Sequence, residues 1–213
     1  MRMSARIAEF IVFFPVFLFS LSFHEASHAW VADRLGDSTA RLMGRLTLNP
    51  LAHIDPIGTV LFPMLMFLVP GLLLFGWAKP VPVNPHNLRG GRTGNLKVSL
   101  AGPASNSFLA LVFAGLIHGL VWWNPTSQTA VHVYDILETG VYLNLALAIF
   151  NLIPIPPLDG SHIFEAILPE KYLAGYERLT RYGYLIMIAA LYLGAFRLLA
   201  IPIGLVAGLL LPK

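Results

Sequence analysis

The sequence predicts an all-α membrane protein: a polytopic helical bundle of about five to six hydrophobic segments, one of them re-entrant, with short strand-like loops near the site where its polar residues collect. Three observations predict this. Hydrophobic residues make up 56% and charged residues 12% of the 213, where soluble domains carry roughly 25% charged residues, and the mean hydropathy is +0.70. The apolar residues fall in continuous runs, several of them long enough for the roughly 20 residues of helix that a crossing takes. Short polar stretches rich in Pro, Gly and Asn separate the runs. No linker, low-complexity tract or internal repeat divides the chain, so residues 1–213 read as a single integral membrane domain.

The first run extends from Ile7 to Ala32. Arg2 and Arg6 before it give it the look of a secretory leader, but no small-residue cleavage site closes it, so it is expected to stay as an anchor. Residues 33–56 hold Asp33, Arg34, Asp37, Arg41, Arg45 and Asp55 and cannot cross. Within them Ala40 to Leu48 has β character and Asn49-Pro50 ends it. The run 57–77 is apolar but interrupted by Pro63 and Pro70-Gly71, which suits a hairpin that enters and leaves on one face as readily as a crossing. Residues 78–97 form a loop whose Pro80, Pro82 and Pro85 favour extended backbone.

A further run covers Val98 to Trp123, closed by the interfacial pair Trp122-Trp123 and an Asn124-Pro125 turn. Another covers Ile136 to Ile153 and leads into Pro154-Ile155-Pro156-Pro157-Leu158-Asp159-Gly160. His162 to Arg181 is a mixed amphipathic stretch. The chain is then apolar from Tyr182 to Leu211, as one long helix or as two elements divided near Arg197 and Pro202.

Several functions are excluded early. The absence of cysteine removes disulfides, thiol catalysis and thiolate ligation together. The net charge of +3 comes from loop Lys and Arg scattered without interleaved aromatics, which fits orientation in a membrane and not nucleic-acid binding. The expected surroundings are the lipid bilayer of a cell membrane, crossed several times.

Residues 24–28 read His24-Glu25-Ala26-Ser27-His28, a HExxH pattern inside the first apolar run. On a helix His24 and His28 share a face and can aim two imidazole nitrogens at one Zn²⁺, while Glu25 lies beside the metal's open side as a base. Each ionisable group in hydrocarbon costs at least about 2.5 kcal/mol, so three within five residues point to a use. A catalytic zinc normally takes a third protein ligand and keeps a position for water. Asp159 stands out, set beside a spanning segment by a double proline and a glycine; the plain alternative is a turn-forming Asp-Gly at a helix end. Glu138 and Glu165 are other carboxylates, without such flanking residues.

Taken together, these motifs resemble the site-2 protease family of intramembrane zinc metalloproteases, which pair a HExxH with a downstream Asn-x-x-Pro-x-x-x-x-Asp-Gly. Here the matching residues are His24, Glu25 and His28, then Asn151, Pro154, Asp159 and Gly160. Gly102-Pro103-Ala104-Ser105-Asn106 resembles the family's Gly-Pro-x-x-Asn element. The three motifs fall in family order over residues 24–160. The chain has neither a PDZ nor a CBS module, and so resembles the compact, core-only branch. It carries Ser161 where a second glycine is frequent.

The resemblance implies one Zn²⁺ per chain held by His24, His28 and Asp159, with Glu25 catalytic. It places Asn151 near the site, able to donate to an oxyanion or orient the scissile amide, or else to make an interhelical hydrogen bond. Asn106 has the same two readings, with close helix packing as the plainer one. The implied activity is hydrolysis of peptide bonds within or near transmembrane segments of membrane-protein substrates. A zinc or ion transporter, or an inactive relative that only binds membrane segments, is the alternative. His53 and His86 flank the hairpin run and read as capping or surface residues, with reaching or gating the metal as the alternative; His118 and His132 read as interfacial. The sequence leaves the oligomeric state open.

If His24, His28 and Asp159 meet, the C-terminal ends of the first and of the Ile136–Ile153 segments lie on one side. That parity requires the 57–77 run to return to its starting face. Residues 33–56, 78–97 and 158–181 then share a side with ten Lys or Arg, which is expected to be the cytoplasmic one, and the active site faces it.

Overall fold

The computed structural model describes residues 3–69, 76–123 and 127–212. Helix α1 runs Met3–Arg34 with Pro15 inside it. The polar stretch that follows contains a short helix α2, Thr39–Leu42, and a 3₁₀ turn, Pro50–Ala52. A wide π-type turn, Pro56–Leu61, continues into α3, Phe62–Leu68. Two long helices come next, α4 over Arg92–Trp123 and α5 over Gln128–Asn151. The chain ends with α6, Asp159–Ile167, α7, Glu170–Thr180, α8, Gly183–Tyr192, and α9, Ala200–Leu210.

Among the described residues three helices, α1, α4 and α5, are long and apolar enough to cross a membrane. The α8–α9 pair would make a fourth, bent by 79°. Its break falls at Gly194, which adopts a left-handed φ of 73°, not at Arg197 or Pro202. Only glycine enters that conformation at no steric cost, whereas Pro202 lies in the first turn of α9, where its missing N–H is harmless. Helix α5 begins eight residues before the apolar run from Ile136, because Ser127 caps it by accepting from the Ala130 N–H.

The bundle packs α4 between α1 and α5. Its core joins Ala110, Ala114 and Ile117 of α4 to Val141 and Leu145 of α5 and Ala207 of α9. Small residues let the backbones close, as membrane packing requires: a Cβ on Gly140 would lie 2.7 Å from the Phe113 ring. The outward faces carry Ile11, Leu111, Leu185 and Leu209 exposed, an apolar surface suited to lipid.

Two loop expectations change. Residues 40–48 are not a strand: the chain is helical to Leu42 and then turns, with Gly44 at φ 67°, and no strand occurs among the described residues. β-propensity needs a partner edge to pair with, and none lies alongside among the described residues. Pro63 does not break its helix, because it sits in the first turn of α3 behind the π turn, where the hydrogen-bond register is already shifted.

The run 57–77 does return to its starting level. The Trp77 N–H donates to Gly58 O at 3.1 Å, Thr59 Oγ1 donates to Trp77 O at 2.7 Å, and the Lys79 N–H donates to His53 O at 2.8 Å. Gly58 is needed there, since a Cβ would lie 2.3 Å from the Trp77 indole. At its far end Phe67 packs on Phe10 and Phe13, and Arg6 Nη1 donates to Phe67 O at 3.3 Å. Gly76, by contrast, lies at Phe17. The hairpin therefore reaches from the middle of α1 nearly to its N-terminus. The Pro70-Gly71 turn expected at its tip lies outside the described residues.

Candidate metal centre

His24 and His28 lie one turn apart on α1 and are both buried. Asp159 opens α6, reached through the Pro154–Leu158 loop that leaves the end of α5. These two elements meet against α4 at Gly102. A Cβ there would fall 2.4 Å from His24 Cε1 and 2.4 Å from His28 Nε2, so glycine is required for the imidazoles to occupy this space. Gly102, which the sequence showed only as the first residue of the Gly-Pro-x-x-Asn element, is the floor of the site.

Each imidazole is held by its far nitrogen. His28 Nδ1 donates to Val98 O at 2.7 Å; a carbonyl only accepts, so the proton is on Nδ1. His24 Nδ1 faces Asn106 Oδ1 at 2.6 Å. The orientation of that amide follows from fixed acceptors. Asn106 Nδ2 donates to Ser20 O at 3.3 Å and to Asn144 Oδ1 at 2.9 Å, and Asn144 Nδ2 donates to Gly140 O and to Ser20 Oγ, both at 2.9 Å. Asn106 thus has its oxygen towards His24, and both Nε2 atoms are left with lone pairs.

Those lone pairs converge. The two Nε2 atoms are 3.1 Å apart; His24 Nε2 is 3.1 Å from Asp159 Oδ2 and His28 Nε2 is 3.3 Å from Asp159 Oδ1. Asp159 Oδ2 is buried without a hydrogen-bond donor. Three acceptors facing one another with no proton between them repel unless a cation sits among them. Tetrahedral zinc bonds of about 2.0–2.2 Å set ligand–ligand spacings of about 3.3–3.6 Å; the three atoms lie within a few tenths of an ångström of that, and two imidazoles with one carboxylate are a donor set zinc takes.

Glu25 stands beside this cluster. Its Oε2 accepts from the Val81 N–H at 2.8 Å, so the loop between the hairpin and α4 reaches the base. Asn151 ends α5 and turns to its own helix, Nδ2 donating to Leu147 O at 2.9 Å. His53 is buried and caps the Pro50–Ala52 turn, with Nε2 donating to Thr47 O at 2.8 Å; it is not a surface residue. His86 is exposed.

Comparison with known proteins agrees with this chemistry. The family model of peptidase family M50 matches residues 121–194. The chain is 38% identical to YwhC of Bacillus subtilis over 171 residues, covering 79% of this chain and 74% of that protein. It is 34% identical to Rip2 of Mycolicibacterium smegmatis over 187 residues, covering 87% and 68% respectively. Both names class those proteins with zinc metalloproteases.

The chain belongs to peptidase family M50.

This is the site-2 protease family, and the M50 chain described here is accordingly a membrane zinc metalloprotease. A more distant relative, zinc metalloprotease MJ0392 of Methanocaldococcus jannaschii, is 28% identical over 170 residues, 80% of this chain and 38% of its own. No solved structure matches.

Three groups of residues around the M50 site escape motif reading. Ser20 and Asn144 are fully buried polar residues inside spanning helices, and that rarity is the signal that would have found them. The Val98 carbonyl carries no side-chain signal at all. Asp37, also fully buried, accepts from the Asn84 N–H at 2.7 Å, Asn87 Nδ2 at 3.1 Å and Thr39 Oγ1 at 2.5 Å. Burial works to raise its carboxyl pKa, but these donors outweigh it and hold the group below its usual value of 3.8.

Proposed function

We propose that this chain hydrolyses peptide bonds within or near the transmembrane segments of membrane-protein substrates, and that its site faces the cytoplasmic side of a cell membrane it crosses several times. The observation that carries the reading is the position of the three ligands. They sit among α1, α4 and α6, and two of them belong to a helix that is apolar enough to span. A water-using site at that depth acts on bonds that soluble proteases do not reach.

Bound among His24, His28 and Asp159, zinc supplies a Lewis acid and lowers the pKa of its water towards about 7. The chain's own residues do the rest. Val98 O and Asn106 hold the imidazoles with Nε2 inward, and the Ser20–Asn144 pair holds Asn106. Glu25 takes the proton of the attacking water on its carboxylate and returns it to the leaving amine. Asn151 has one amide hydrogen engaged at Leu147 O and a second available to a developing oxyanion.

A substrate helix must unwind before its amides can be attacked. An open groove of about 340 Å³ lies along α1, lined by Phe23, Ala26, Ser27, Trp30 and residues 46–48. The N–H groups of Leu46, Thr47 and Leu48 make no hydrogen bond among the described residues, so they are free to pair with an extended chain. The test is cleavage of a purified transmembrane peptide alongside zinc analysis. Glu25→Gln is expected to keep zinc and lose turnover, and equal cleavage by wild type and variant would reject the mechanism.

A further inference from the structure

We propose that Arg45 is a positioning residue for the Glu25 base: it holds segment 79–83 so that the Val81 N–H fixes one carboxylate oxygen and leaves the other for the attacking water. This rests on the role given to Glu25 above. The Val81 N–H is the sole hydrogen-bond partner of the Glu25 side chain among the described residues, at 2.8 Å on Oε2. Its neighbours Pro80 and Pro82 have no N–H, so of these three residues only Val81 can donate. The register of the segment therefore decides whether the base is held.

That register is pinned at both ends by buried charged side chains. Arg45, 7% exposed, directs Nη2 to Lys79 O at 2.5 Å and Pro80 O at 3.3 Å. Asp37 receives the Asn84 N–H at the other end. Arg45 has no carboxylate partner among the described residues, and its Nε is buried without an acceptor. A buried guanidinium spent on two backbone carbonyls is expensive. Among the described residues its hydrogen bonds go to these two carbonyls alone, and they adjoin the one N–H that reaches Glu25.

The full zinc-loaded chain is assayed with a quenched-fluorescent peptide containing one Leu/Ala/Gly transmembrane segment of about 20 residues. Arg45→Gln is expected to lower kcat about ten- to a hundredfold, with KM within about twofold and the zinc content unchanged. Val81→Pro deletes the N–H and exchanges the isopropyl group for a ring of similar size, at a position already extended by the following proline, and should cost the same. The double variant should be no worse than either single one, because both act through one hydrogen bond. Hydrogen exchange adds a readout independent of turnover: segment 79–84 has few amides, and that of Val81 should exchange about tenfold or more faster in Arg45→Gln. If Arg45→Gln does not fold, Arg45→Met, which keeps the apolar stem and carries no donor, takes its place with the same expectation.

An unchanged kcat in either single variant, losses that multiply in the double variant, or a loss carried by KM or zinc content overturns the proposal. Glu25→Gln separates the two levels. If it cleaves like wild type, the proposed function fails; if it is inactive while Arg45→Gln keeps full kcat, only the positioning role fails.

Discussion

Gly102→Ala offers the sharpest test of the metal centre, because helix propensity and site geometry predict opposite signs. In the interior of a 32-residue helix, replacing glycine with alanine ordinarily stabilises by about 0.5–1 kcal/mol. Here the new methyl would sit 2.4 Å from an atom of each imidazole, where ordinary contact begins at 3.4 Å. The rings would have to recede by about 1 Å, whereas metal sites tolerate about ±0.2 Å in ligand distance. Helix α4 cannot simply back away, since it also carries the Val98 carbonyl and Asn106 that orient the same two rings. The expected result is a fall in zinc affinity of about a hundredfold or more, measured by competition with a chelator of known affinity. Thermal unfolding of the metal-free protein should come at a lower temperature than wild type, because the displaced rings strain their hydrogen bonds to Val98 O and Asn106. Zinc affinity within about twofold of wild type would refute the assignment of Gly102 as the floor of the site.

Asn106→Ala removes the acceptor at His24 Nδ1 and should weaken zinc binding by about ten- to a hundredfold, read by the same competition; Asn144→Ala should do so less, acting one bond further out. Asp37→Asn should destabilise the loop by about 1–3 kcal/mol, read by thermal unfolding in micelles. Because the folded-state pKa of Asp37 lies below the unfolded value, its contribution is complete above that value and is lost as pH falls through the folded one. The gap between wild type and Asp37→Asn should therefore close in acid, and a gap that persists there would contradict the hydrogen-bond account. Topology is checked with single cysteines, which the chain naturally lacks. Cysteines at the exposed Met43 and His86 should react with an impermeant reagent from one side and a cysteine at Trp122 from the other; labelling of Met43 and His86 from opposite sides would overturn the hairpin.

Motifs read well because their chemistry is local. His24, Glu25 and His28 needed only the helical period to share a site, and Asp159 was marked by its Pro-Pro and Gly neighbours. The parity of those residues also anticipated the return of the 57–77 run, now seen in the Gly58–Trp77 hydrogen bond. Residues 40–48 misled because β-branched and aliphatic composition says nothing about whether a partner edge exists. The last apolar run read as one long helix or as two elements divided near Arg197 and Pro202, and the break is found at Gly194, since a proline in a first turn costs nothing and a glycine at positive φ ends a helix.

The resemblance to the site-2 proteases implied Asp159 as a third ligand; by itself the sequence determined that this protein lives in a membrane and that α1 presents two imidazoles and a carboxylate within five residues. Those last two facts follow from apolar run length and helical period. Only the tertiary structure decided that Gly102 leaves the space the imidazoles fill, that Val98 and Asn106 set their protonation, and that a loop 56 residues from Glu25 reaches its carboxylate. Backbone carbonyls and N–H groups are present at every residue, and only the packing of distant segments selects which of them meets the site.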